Sequence, residues 1–220
     1  PGPIIEMEPI LIGSFLIVLM GIFDDISPVQ AWKKFLIQIL AAVIVVYGSE
    51  LFVVRNFDFI FNITFNEYFA RMFTVLWIVT ITNAINLSDG MDGLAAGISF
   101  ISLMTMAVIG IIDAGMYAST VVMITLILAG SIVGFLPYNF PPAKIFMGDS
   151  GAQFIGFMIG TLSILGYKQA AFTSFVIPVV ILAVPLFDTI FAFPRRIINR
   201  SAPQEADAGH VHHRVLQSTE

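Results

Sequence analysis

The chain has 220 residues, of which 58% are hydrophobic and 11% charged, well under the roughly 25% charged content of an ordinary soluble domain. That excludes a water-soluble globule and identifies an integral membrane protein. There is no cysteine, so a disulfide framework, thiolate catalysis and cysteine-held metals are excluded, and any metal would be a hard cation on carboxylates, magnesium first and manganese as the alternative. The net charge of −5 says little about partners, because the acids cluster near the ends of apolar runs and the bases fall in a few short loops.

A membrane-crossing helix needs about 20 mostly apolar residues. Reading in that window predicts an all-α, polytopic bundle of seven spans at 7–23, 35–54, 69–87, 94–112, 117–136, 151–166 and 172–193. Ser27-Pro28, Pro137, Pro141-Pro142 and Gly166 act as breakers between them. The amino terminus lacks the basic region of a signal peptide and runs directly into a spanning stretch, so the chain is expected to be truncated there. Residues 1–194 read as a transmembrane catalytic domain and 195–220 as a polar loop.

Parity along these spans sorts the loops into two sides. One side holds Lys33, Lys34, Lys144, Arg195, Arg196, Arg200 and Arg214, and the other holds Arg55, Arg71 and Lys168. The positive-inside rule makes the first side cytoplasmic. The same side receives Asp24, Asp25, Asp89, Asp92, Asp149, His210, His212 and His213. A topology built without reference to chemistry thus gathers the candidate chemistry on one face.

Asp24 and Asp25 close the first span. Adjacent acids repel, and at a helix C-terminus they oppose the macrodipole, which argues for a task beyond solvation. Successive side chains diverge by about 100° on a helix, so one acid is expected to act and the other to support it. Lys34 is a candidate for holding an anionic group, whereas Lys33 reads as an ordinary topogenic charge. Asp89 and Asp92 stand three apart, and a helix continuing through them would put both on one face. Asn83 and Asn86 precede them as candidate ligands for a sugar or a metal-bound water, with interhelical hydrogen bonding the competing reading for Asn83. Asp149, between Gly148 and Ser150, reads as a helix N-cap when taken alone and as a metal ligand in company with the other acids. His210, His212, His213 and Arg214 form a basic cluster better suited to a nucleotide diphosphate than to zinc. Asp188 reads as an ion-pair partner of Arg195 or Arg196 or as a structural polar contact, ahead of catalysis.

Gly21-Ile-Phe-Asp-Asp25, Asn83-Ala-Ile-Asn-Leu-Ser-Asp-Gly-Met-Asp-Gly93, Phe146-Met-Gly-Asp-Ser-Gly151 and His210-Val-His-His213 resemble, in order, the motifs of the polyprenyl-phosphate N-acetylhexosamine-1-phosphate transferases. The resemblance implies a multi-pass enzyme of the bacterial inner membrane with a cytoplasmic-facing active site. Such an enzyme uses magnesium to move a sugar-1-phosphate from a UDP-sugar to undecaprenyl phosphate, releasing UMP. On that resemblance Asp149 is a magnesium ligand, and Asp89 and Asp92 are catalytic or metal-proximal acids. Asp24 or Asp25 acts on the lipid phosphate, either as base or as attacking group. His210, His212, His213 and Arg214 match the loop associated with the sugar nucleotide, and the His-x-His-His form favours N-acetylglucosamine over the muramoyl-pentapeptide branch. The implied partners are the two substrates and membrane lipid, with a homodimer left open and no nucleic acid. Relatives carry further helices at both ends, so the chain is expected to be a part of such an enzyme. A transporter is the rival class, but its ionisable groups would be expected near the midplane.

Overall fold

The computed structural model describes residues 7–53, 56–57, 63–113 and 118–165. Six α-helices account for most of them: α1 Glu8–Ile26, α2 Ala31–Gly48, α3 Glu67–Ser88, α4 Leu94–Asp113, α5 Ala118–Asn139 and α6 Gly148–Leu165. A 3-10 turn at Glu50–Phe52 follows α2, and a short antiparallel ladder, β1 Asn56–Phe57 with β2 Ile63–Thr64, pairs Asn56 with Thr64 before α3. Helix periodicity and span length could not reveal so small a ladder, and the fold class remains all-α.

The helix ends follow local chemistry. Pro9 sits in the first turn of α1, where its missing N–H costs nothing, and Pro28 stands just beyond its end. The Asn66 side chain accepts from Phe69 N at 2.8 Å and caps α3. One expected breaker fails: α5 runs through Pro137 to Asn139, because a proline in the last turn removes a single bond where the ladder is about to end.

α1 through α5 are each long and apolar enough to cross a membrane. They match the first five expected spans to within a few residues, except that α2 starts and ends earlier, over Ala31–Gly48. The sixth expected span is α6, which opens on Gly148 and Asp149 and falls outside the set of membrane-length apolar helices. The seventh, 172–193, lies outside the described residues.

α6 is the centre of the bundle. It packs on α1 and α3, α1 also packs on α2, and α4 pairs chiefly with α5. Close approach of α6 depends on small residues, as in other membrane helix pairs. A methyl group at Gly156 would lie 2.8 Å from Thr82 Cα, and one at Gly21 would lie 2.3 Å from Ser150 Cα. Outward positions stay apolar and exposed, Phe15, Ile26, Ile112 and Ile127 among them, as lipid contact requires.

Between the end of α2 and the start of α3, Arg71 lies almost wholly inside the protein. It donates to Val46 O at 2.9 Å and to Glu67 at 2.8 Å, pairs with Glu50, and lies over the Tyr47 ring. This clasp ties the end of α2 to the start of α3.

Candidate active site

The site is built at the end of the bundle where α1 stops and α2 and α6 start. Asp24 and Asp25 fall in the last turn of α1, and their side chains diverge as adjacent helical residues must. Asp24 accepts from Val29 N at 2.6 Å and pairs with Lys34, the ammonium one turn into α2. Asp25 faces α6 instead. Its carboxylate accepts Asp149 N at 2.8 Å, Ser150 N at 3.2 Å and Ser150 Oγ at 2.6 Å. The cap of α6 is therefore an acid from another helix, satisfying amides that a helix start leaves open. Gly148, at φ +68°, sits against that carboxylate and could not carry a side chain without strain.

With its amide held by Asp25, Asp149 directs its carboxylate to Lys34, whose Nζ lies 2.6 Å from Asp149 Oδ2. Lys34 thus bridges Asp24 and Asp149. Gln153, one turn along α6, donates to the same Asp149 oxygen at 3.1 Å. Gln153 is in turn paired with Gln38 at 2.9 Å, and Asn83 donates to Gln38 Oε1 at 2.5 Å.

The expected helical pairing of Asp89 with Asp92 is not what forms. α3 ends at Ser88, Asp89 is its C-cap, and the chain turns through Gly93 at φ +76°. The helix gives way to a turn here because Gly93 adopts a backbone conformation that a helix cannot continue. Asp89 is half-buried beside α6, where burial first, and then the charges of Asp149 and Asp25, push its carboxyl up to about 6, against an opposing pull from the Gly148 amide. Asp92 is exposed and accepts Ala143 N at 2.9 Å, tying the α3–α4 turn to the segment before α6.

Asn83 makes the interhelical bond that competed with ligand binding, and it also donates to Val79 O at 2.8 Å. Asn86 is half-buried, and its carbonyl accepts Asp89 N at 3.2 Å. Lys33 is exposed over the Trp32 ring, away from the acids. His210, His212, His213, Arg214 and Asp188 lie outside the described residues.

Three participants went unnoticed in the sequence. Gln38 and Gln153 are buried amides one turn after Lys34 and Asp149, so Lys-x-x-x-Gln and Asp-x-x-x-Gln were the available signal. Asn139 is buried as well, accepting Gly93 N at 3.0 Å and donating to Ile145 O at 2.9 Å, and so braces the two turns that flank the site.

The donor set suits one kind of metal. Among the described residues no three acids or imidazoles stand close enough to form a metal cage. Magnesium asks for less, since it retains waters and binds through one or two carboxylates together with substrate phosphates. Asp149 and Asp89 supply hard oxygens, and the charge of Asp149 acts on Asp89, so the donor chemistry suits a magnesium completed by substrate and water.

A family profile described as glycosyl transferase family 4 matches residues 8–167. The chain is 44% identical over 219 residues to a probable undecaprenyl-phosphate N-acetylglucosaminyl 1-phosphate transferase of Bacillus subtilis, covering 96% of this chain and 58% of the relative. It is 34% identical over 232 residues to a decaprenyl-phosphate N-acetylglucosaminephosphotransferase of Mycolicibacterium smegmatis, covering 96% of this chain and 57% of the relative. A phospho-N-acetylmuramoyl-pentapeptide-transferase of Limosilactobacillus reuteri is 35% identical over 162 residues, covering 69% of this chain and 49% of the relative.

Proposed function

Because the chain belongs to glycosyl transferase family 4, we propose that it is the catalytic part of an enzyme transferring N-acetylglucosamine-1-phosphate from UDP-N-acetylglucosamine to undecaprenyl phosphate. The relatives that match almost all of the chain support this donor over the muramoyl-pentapeptide donor, whose relative matches a shorter stretch. The reaction would run at the cytoplasmic face of the bacterial inner membrane, where the positive loops fall.

The observation that carries the reading is the Lys34 bridge between Asp24 and Asp149 beside the capped start of α6. An ammonium shared by two carboxylates can turn to an incoming phosphate without leaving the site. The gathering of acids at one end of the bundle also argues against a transporter, whose ionisable groups would line a midplane path.

In the reaction, a phosphate oxygen of the lipid bonds to the β phosphorus of the nucleotide sugar, the bond to the bridging oxygen breaks, and UMP leaves. Asp25 is occupied by three donors from α6, so its part is to hold Asp149 in place. Asp24, which Lys34 releases when it turns to the incoming phosphate, is then the acid of the pair suited to take the proton of the lipid phosphate, although that group's second ionisation near pH 6 keeps the demand on it small. Asp149 and Asp89 would hold magnesium, which when bound supplies charge neutralisation at the diphosphate. His210, His212, His213 and Arg214 would add donors to the nucleotide.

The test is UMP release from a panel of UDP-sugars with undecaprenyl phosphate, using the full-length protein and Asp149→Asn. Release with UDP-N-acetylglucosamine that depends on a divalent cation and falls at least about a hundredfold in the variant is the expected result. A full-length protein inactive on every N-acetylhexosamine donor would overturn the assignment.

A further inference from the structure

α2 and α6 are not principal packing neighbours, since each packs mainly on other helices. Polar side chains join them in rungs one helical turn apart. The first rung is Lys34 to Asp149, and the second is Gln38 Nε2 to Gln153 Oε1 at 2.9 Å. Gln153 links the rungs by donating to Asp149 Oδ2 at 3.1 Å, and Asn83 on α3 extends the line by donating to Gln38 Oε1 at 2.5 Å.

The sense of this line is fixed at both ends. Asn83 Nδ2 also donates to a backbone carbonyl, Val79 O at 2.8 Å, so its amide nitrogen must point that way. At the other end Lys34 Nζ and Gln153 Nε2 both donate to Asp149 Oδ2, so that oxygen is an acceptor. Each amide between them then donates in the same direction: Asn83 to Gln38, Gln38 to Gln153, Gln153 to Asp149. Gln38 is 2% exposed and Gln153 is 0% exposed, and amides buried at membrane depth are costly unless every bond is made. A methionine pair would fill the same space at less cost if packing were the only need.

We infer that Asn83, Gln38 and Gln153 are positioning residues: a one-way hydrogen-bonded chain that runs from the α3 backbone to Asp149 and sets its carboxylate. Lys34 and Gln153 both bond Oδ2, so the chain fixes one carboxylate oxygen of Asp149. The chain thereby couples α3, whose C-cap is Asp89, to α6. It resembles the outer-sphere partners that orient metal-binding carboxylates, whose loss costs about 10–100-fold in metal affinity or activity.

This inference rests on the transferase reading, and its test separates the two. Gln38→Met, Gln153→Met and the double variant would be assayed in the full-length protein for UMP release and for half-saturating magnesium, with unfolding midpoints recorded. The double variant removes the Gln38–Gln153 pair together and leaves Asn83 its bond to Val79 O, so it guards against a single variant that fails to fold through an unpaired amide. The expected result is that Gln153→Met lowers kcat and raises half-saturating magnesium by about 10–100-fold. Gln38→Met should do so more weakly, and the double variant should be no worse than Gln153→Met. Losses that multiply in the double variant, or kcat falling only in step with the unfolding midpoint while the magnesium requirement stays put, would overturn the chain and leave the transferase reading intact. An unsubstituted protein that releases no UMP overturns the transferase reading, and the positioning role with it.

Discussion

Asp25, in the last turn of α1, accepts the backbone N–H of Asp149 at 2.8 Å, across 124 residues of sequence. One helix end is thereby closed by another, and the acid proposed to meet magnesium is held through its own amide. Replacing Asp25 by alanine removes the cap, which for helix caps costs about 0.5–2 kcal/mol, and also frees the first turn of α6. Asp25→Asn keeps one acceptor oxygen and should retain part of the stability. The expected order of unfolding midpoints is parent, Asp25→Asn, Asp25→Ala, with UMP release falling in the same order. Equal midpoints for all three would show that the cap bears no weight.

Lys34 stands between Asp24 and Asp149, and taking it away leaves two carboxylates facing each other. Lys34→Met should therefore destabilise the protein more than Lys34→Met placed on an Asp24→Asn background, with a coupling of about 0.5–3 kcal/mol in a double-mutant cycle of unfolding free energies. Activity should fall in every member of the cycle, because the bridge is also the proposed phosphate contact. Additive unfolding energies would mean that the pair is a surface accident.

Much of this arrangement is legible in the sequence alone. Hydropathy located five spans and the start of the sixth helix, and parity put Asp24, Asp25, Asp89 and Asp149 at one end, since a membrane leaves a helix only two places to put its termini. What escaped was short-range detail that hydropathy does not encode. Asp89 and Asp92 do not share a helix face because the helix stops at Ser88 and the chain turns through Gly93, a choice made by glycine backbone freedom rather than by apolar periodicity. Asp25 caps α6 because Gly21 and Gly148 allow α1 and α6 to approach closely, and contact between distant segments is invisible in either one alone. Gln38 and Gln153 carry little signal in the sequence, because a lone amide in an apolar run has no meaning until its partner is known.

The Asp89 carboxyl is raised from an ordinary 3.8 to about 6, chiefly by burial and then by the charge of Asp149. A group whose pKa is raised on folding adds stability when protonated. That contribution is complete below about pH 4 and is lost as pH climbs through 6. The magnesium-free protein should accordingly show a falling unfolding midpoint between pH 4.5 and 7.5, flatter in Asp89→Asn. Magnesium binds the ionised form, so it should raise the midpoint more at pH 7.5 than at pH 5. A midpoint with the same slope in Asp89→Asn would assign the effect to other groups.

Gly21 and Gly130 are both helical glycines in membrane spans, and they should respond to alanine in opposite directions. A methyl group at Gly21 would lie 2.3 Å from Ser150 Cα, against backbone that cannot yield without shifting the start of α6. At Gly130, on α5, nothing lies within 4 Å of the added carbon. Gly21→Ala should therefore cost about 1–3 kcal/mol from overpacking. It should also lower UMP release beyond what the lost stability explains, because Asp149 and Ser150 move off Asp25. Gly130→Ala gains helix propensity of up to about 1 kcal/mol with no steric charge against it, so its midpoint should hold or rise and its activity should stay at the parent level. Unfolding midpoints and UMP release measured side by side decide the matter. A Gly21→Ala protein as active as the parent would mean that the α1–α6 contact does not set the position of the acids.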